Sequence, residues 1–208
     1  MKHKGAVDLT MDDVVKRLAS HLRWNTKSKD VVGGIFRACP PAAEKDIIAT
    51  EQRLNFNFPE TLRKIYLSVA NGGFGPGYGV MGVEGGFTDD LGHTVADLFE
   101  VYRQPDPEDP TWEWPERFIP ICHWGCVVYS AIDCGQNPAP VYFVDVGVKE
   151  PNEPMESIIK FHKPSIEVWL NDWLDGKDLW HEVAAEFLSS DAESDIPVAA
   201  HDLPAYAN

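Results

Sequence analysis

Positive charge is scarce in this chain. Its 208 residues carry 18 Lys+Arg against 33 Asp+Glu, a formal net charge of −15 at pH 7. A field of that sign repels nucleic acid and anionic lipid and steers basic partners, so neither direct nucleic-acid binding nor membrane binding is expected. Long apolar runs are missing too. None approaches the ~18 residues that a membrane helix needs, and the opening MKHKGAVDLTMDD lacks the apolar segment of a secretory signal. Cysteine is limited to Cys39, Cys122, Cys126 and Cys134. A chain of this length can bury a core without disulfide staples, so the thiols are expected to be reduced and the protein cytoplasmic.

Catalytic signatures are also absent. There is no G-K-[ST] phosphate loop and no G-x-S-x-G nucleophile elbow. His93, His123, His162 and His181 are not placed beside a nucleophile by any motif, and the pair Asp89–Asp90 sits in a turn-like segment. No enzyme activity and no cofactor are expected. The run CHWGC (Cys122, His123, Cys126) invites a metal reading, but structural zinc prefers two close ligand pairs, and the only other nearby thiol is Cys134. Cys122 and Cys126 read as small core residues flanking a turn, with no metal.

What is present is ordered. TMDDVVKRLASHLRW opens with Thr10 and Asp13 at capping-box spacing, then Val14, Leu18 and Leu22 on one helical face. Two more helices follow in PPAAEKDIIATEQRLNF and FPETLRKIYLSVANGG, and a fourth, capped by Thr94 and Asp97, in HTVADLFEVYRQ. Strand signals come next: RFIPIC, CVVYSAID, PVYFVDVG and SIIKFH, with GQNPAP at hairpin distance between the second and third. SIEVWLNDWLDG and DLWHEVAAEFL return to helical spacing. Helices, then strands, then helices predict an α+β domain with a mainly antiparallel sheet. The expected division is a helical extension over 1–39, the domain over 40–188 and a polar tail over 189–208. Charge follows that division: residues 1–40 carry eight Lys+Arg and four Asp+Glu, and the rest ten and twenty-nine.

The glycine-rich stretch NGGFGPGYG follows the third helix. A phosphate loop would sit at a helix N-terminus; this one leaves a C-terminus, where the dipole is negative, and Pro76 removes an amide. Asn71, Gly72, Gly73, Phe74, Gly75 and Gly77 therefore read as a structural loop. Gly72 or Gly73 is expected to cap the helix in the left-handed region, which Asn71 also tolerates, and VMGV to enter the sheet.

The same residues resemble a known family. In DIIATEQRLNFNFPETLRKIYLSVANGG, Glu51, Leu54, Phe56, Pro59, Leu62, Tyr66, Asn71, Gly72 and Gly73 match the passage typical of the SUKH superfamily, the Knr-like cell-wall-assembly regulators. FIPICHWGCVVYSAID resembles its strand pair. Its closing helix is matched by Ser165, Trp169, Leu170, Trp173 and Leu174. The resemblance spans roughly residues 40–176 and implies an α+β fold. It also implies a non-catalytic protein binder: either an immunity protein that neutralises a polymorphic toxin, often a nuclease, or a regulatory module with an endogenous partner. No catalytic residues carry over.

Three parts depart from that pattern: the long N-terminal region, the polar C-terminal tail and the acidic insert over 105–116. PDPEDPTWEWPE interleaves Trp112 and Trp114 with Asp106, Glu108, Asp109, Glu113 and Glu116. Tryptophan is enriched at interface hot spots, and acidic neighbours select a basic surface. Asp106, Glu108, Asp109, Trp112, Glu113 and Trp114 are therefore the expected contacts to a basic toxin domain. The plainer alternative is that the tryptophans cover the sheet edge and the acids are simply solvated.

Overall fold

The helices form where apolar residues recur every third or fourth position. In the computed structural model, which describes residues 10–25 and 38–183, α1 spans Met11–Asn25, α2 Glu44–Leu54 and α3 Glu60–Ser68. The Thr10 hydroxyl donates to the Asp13 carboxylate (2.5 Å) and accepts the Asp13 amide (3.2 Å), starting α1. Val14 and Leu18 are fully buried in the main core, where α1 packs on α3 and on α5 (Ile166–Leu174). Arg17 ties α1 to α5 through Asn171 and Asp175. The polar tail expected over 189–208 lies outside the described residues, as does most of the link between α1 and α2.

Helix α4 (Val95–Tyr102) carries the expected capping box, Thr94 with Asp97. Arg53 of α2 clamps it by binding Asp97 (2.7 Å) and Glu100 (2.8 Å). The sheet follows: β1 Phe118–Gly125, β2 Val128–Asp133, β3 Val141–Asp145 and β4 Ile159–Lys163, in the order β1-β2-β3-β4, every pair antiparallel. The fold is thus α+β, as the element order predicts. Past α5, residues 179–183 are helical and bury Leu179 and Val183. The remainder of the DLWHEVAAEFL helix lies outside the described residues.

The glycine loop differs in detail from expectation. Helix α3 ends at Ser68 with Val69 as its C-cap in the right-handed region, so neither Gly72 nor Gly73 is the cap. VMGV contributes only a single bridge, Val80 to Cys122, and not a strand. The loop instead lies along the outer edge of β1. Tyr78 N–H donates to His123 C=O (2.8 Å), and Met81 N–H donates to Ile121 C=O (2.7 Å). Gly72 has φ +82°, and a Cβ there would lie 2.6 Å from the Val80 carbonyl. Gly77, at φ +57°, is pressed equally against the His123 carbonyl. Only glycine fits either place.

Asn71 does more than tolerate a turn. It is 2% exposed, and its side chain accepts from Val83 N–H (2.8 Å) and donates to the Val83 and Glu84 carbonyls (3.4 and 3.2 Å). Its backbone N–H meets Cys39 and Pro40, and its carbonyl takes the Phe87 amide. Gly82 and Gly86 close on it so tightly that a Cβ on either would lie 2.4 Å from an Asn71 atom.

The described C-terminal end is tied to the sheet by charge. Lys163 of β4 bridges Asp172 (2.7 Å) and Glu182 (2.6 Å), and Lys177 also meets Asp172. Beside them the His162 side chain is 2% exposed, its Nε2 3.7 Å from Glu182, beyond hydrogen-bond reach. Burial first, then the Lys163 charge, lower its pKa from 6.5 to about 4.

Two predictions follow from these contacts. Asn71→Ala strands the buried Val83 amide and should cost about 3 kcal/mol, with Gly72→Ala costing about 2 kcal/mol, both read by urea unfolding. His162 is neutral in the fold, so between pH 6.5 and about 4 the unfolded chain binds the extra proton and stability falls as pH falls. The loss should be on the order of 2 kcal/mol. His21, shifted down by burial and Arg17, adds to it with the same sign. His162→Leu should flatten that slope in unfolding curves taken across the window, and an unchanged slope would refute the assignment.

Candidate partner-binding cleft

Several amides of the glycine loop are spent on its own carbonyls or on β1, as Tyr78 N–H is on His123. Gly73 and Val80 N–H donate to the Val80 and Phe74 carbonyls, and Gly79 N–H donates to Pro76 (3.0 Å). Phe74 is buried beneath it. In CHWGC the thiols part company: Cys122 is fully buried, with Sγ donating to the Pro76 carbonyl (3.2 Å), while Cys126 is exposed at a turn. Burial pushes the Cys122 thiol pKa up, away from the reactive range. His123 Nε2 meets the Cys126 carbonyl (3.0 Å), and its ring stacks on Tyr129. Among the described residues no group of three His, Cys, Asp or Glu side chains is arranged to hold a metal ion.

The proline-rich insert after α4 is the more distinctive surface. Three short side-chain anchors stiffen it without regular structure. Asp106 accepts the Glu108 amide (2.8 Å), an Asx turn. Asp109 accepts the amides of Thr111 and Asn152 (both 3.1 Å) and the Thr111 hydroxyl (2.6 Å). Its other oxygen takes Lys149 Nζ at 2.6 Å, with the two side chains 7% and 3% exposed. That ammonium first, and the Thr111 hydroxyl second, hold the Asp109 carboxyl well below the usual carboxylate range. The third anchor is aromatic. Trp114 is 1% exposed, stacks on Tyr102 (4.7 Å), meets Phe118 edge-on (5.8 Å), and donates its indole N–H to the Phe118 carbonyl (2.7 Å). Trp112 stacks on Trp114, and its indole N–H donates to the Tyr102 carbonyl (2.8 Å).

Between the insert, the end of α4 and the turn after β3 lies an open cleft of about 480 Å³. Of the six contacts expected from sequence, Asp106, Glu108, Asp109 and Trp112 line it; Glu113 and Trp114 do not. Asp106, Glu108 and Glu113 are exposed, whereas Asp109 and Trp114 are buried and act as the insert's internal supports. The aromatic pair therefore divides its work: Trp114 belongs to the core, and half-buried Trp112 reaches the surface. Sequence reading overlooked Lys149, Val146 and Pro151, the far wall of the cleft. Nothing local marks them, since Lys149 meets Asp109 only through the fold.

A model of the SMI1 / KNR4 family (SUKH-1) matches residues 41–187. The chain belongs to that family. No curated protein gives a significant match. The SUKH-1 match takes in the Asn71 loop, the sheet, the insert and α5, and begins after α1. No helix among the described residues is long and apolar enough to cross a membrane.

The two tryptophans should separate experimentally. Trp114→Ala should cost about 3–5 kcal/mol in urea unfolding, as expected for a large aromatic removed from a core. Trp112→Ala should cost clearly less. Equal losses would show that Trp112 is also a core residue.

Proposed function

We propose that this SUKH-1 protein is a non-catalytic, immunity-type binder, acting in the cytoplasm, that neutralises a basic toxin domain by occluding its working surface. The observation that carries the reading is the insert: exposed Asp106, Glu108 and Glu113 project from a backbone held by Asp109–Lys149 and by Trp114. Carboxylates on a rigid support lose little conformational freedom on docking, so more of the interaction energy appears as affinity. The net charge of −15 adds long-range attraction for a basic partner. A nuclease toxin presents its basic groove to nucleic acid, and an acidic protein competes for that groove by the same electrostatics.

The test is to search the neighbouring genes for a toxin domain, whose absence would itself count against the immunity role, and to co-express any such domain with this chain, followed by stopped-flow binding of the two purified proteins. The chain should rescue growth and form a one-to-one complex. Asp106→Asn, Glu108→Gln and Glu113→Gln together should slow association about tenfold at low salt and flatten its salt dependence. Asp109 is left intact, because neutralising it would unpair buried Lys149 and confound folding with binding. Absence of rescue and of a complex would reject the immunity role in favour of a regulatory module with an endogenous partner.

A further inference from the structure

We propose that the insert cleft is an arginine-binding subsite, which receives one arginine side chain from a protruding segment of the protein partner. The inference rests on the binding role proposed above only for the partner's basic character; the rest comes from the cleft itself. Its walls are apolar and aromatic, from Tyr102, Trp112, Val146, Pro105 and Pro151, and Asp106 and Glu108 are among its lining residues. A side chain with an apolar stem and a cationic head matches that division.

The charges inside the cleft do not balance. Lys149 also lines it, yet its ammonium is spent on Asp109 (2.6 Å), Thr111 (3.2 Å) and the Glu150 carbonyl (3.0 Å). Lys149 and Asp109 therefore cancel. Asp106 and Glu108 have no cationic partner among the described residues, which leaves the cleft with two uncompensated carboxylates. An incoming cation meets attraction from both, and an anionic group meets repulsion.

The aromatic wall selects among cations. Trp112 is fixed in one pose by its indole bond to Tyr102 and its stack on Trp114, so no rotamer freedom is lost when a ligand covers it. A planar guanidinium can lie against an indole while its five N–H groups reach neighbouring carboxylates. The lysine ammonium is compact and more strongly hydrated, and it does not stack. The volume, about 480 Å³, lies within the range of small-ligand sites.

The experiment is an NMR titration of the ¹⁵N-labelled full chain with three blocked tripeptides, Gly-Arg-Gly, Gly-Lys-Gly and Gly-citrulline-Gly, in low-salt buffer. The Trp112 indole signal is assigned by its loss in Trp112→Phe. The arginine peptide should shift that signal and the amides of 106–109 saturably, in the low-millimolar range. Lysine should bind at least fivefold more weakly, and citrulline, which keeps the shape without the charge, should give no saturable shift. Asp106→Asn with Glu108→Gln should weaken the arginine peptide at least fivefold while leaving signals far from the cleft in place. No saturable shift at these signals, equal binding of lysine or citrulline, or an unchanged double variant would overturn the proposal. Rescue by a chain whose cleft ignores arginine would place the toxin contact elsewhere. A cleft that binds arginine in a chain that rescues nothing would reject the immunity role and retain the subsite.

Discussion

The fold hangs on one buried amide. Asn71 satisfies its side-chain oxygen and nitrogen on Val83 and Glu84, and its backbone on Cys39, Pro40 and Phe87, all within a site 2% exposed. A buried amide with every group paired is stable only in one arrangement of its neighbours, because any displacement leaves a donor or acceptor stranded. Three separate stretches of chain are thereby held at one point. From that point Met81 docks on β1, Tyr66 donates its buried hydroxyl to the Met81 carbonyl (2.6 Å), and the Val95 amide at the start of α4 meets Gly82. The glycines around Asn71 follow from the same demand, since only residues without a Cβ let backbone approach it so closely.

The insert is one step further along this chain of dependence. Helix α4, placed by Gly82 and by Arg53, delivers Tyr102, and Tyr102 stacks on Trp114 and accepts the Trp112 indole through its carbonyl. The proline-rich segment thus gains its shape from side-chain anchors and a few backbone turn bonds, Asp109 N–H to Asp106 and Trp112 N–H to Asp109, and not from an extended ladder, which its prolines interrupt. Its acids then fall into two groups with different physics. Asp109 is buried against Lys149, where loss of either partner would leave an unpaired charge. Asp106, Glu108 and Glu113 remain in water, where they cost little and act at a distance. One short sequence therefore holds both the internal strut and the outward-facing charge.

Much of the architecture could be read from the chain alone. Helical spacing, the Thr94–Asp97 box and the four strand signals belong to local sequence, because capping and amphipathic periodicity are set by residues three or four apart. Family membership was visible in three blocks taken in order: the passage ending at Asn71–Gly72–Gly73, the FIPICHWGCVVYSAID strand pair and the SIEVWLNDWLDG helix. The exact work of Asn71, Gly72 and Gly73 was not: a helix followed by Asn-Gly-Gly is consistent with a left-handed cap, and only the docking of 78–81 on β1 shows that the glycines serve close approach instead.

The sequence by itself determined the elements, their order, the acidic balance and the presence of an unusual Trp-bearing acidic insert. Tertiary structure alone decided which of those acids and tryptophans face solvent. Asp109 and Glu108 are neighbours of the same charge, and Trp112 and Trp114 are two residues apart, so no local signal distinguishes them. The difference arises from Lys149, forty residues away, and from Phe118 and Tyr102, which close over Trp114. Burial is a property of what the fold brings alongside, and pairing over such separations is written in no stretch short enough to read.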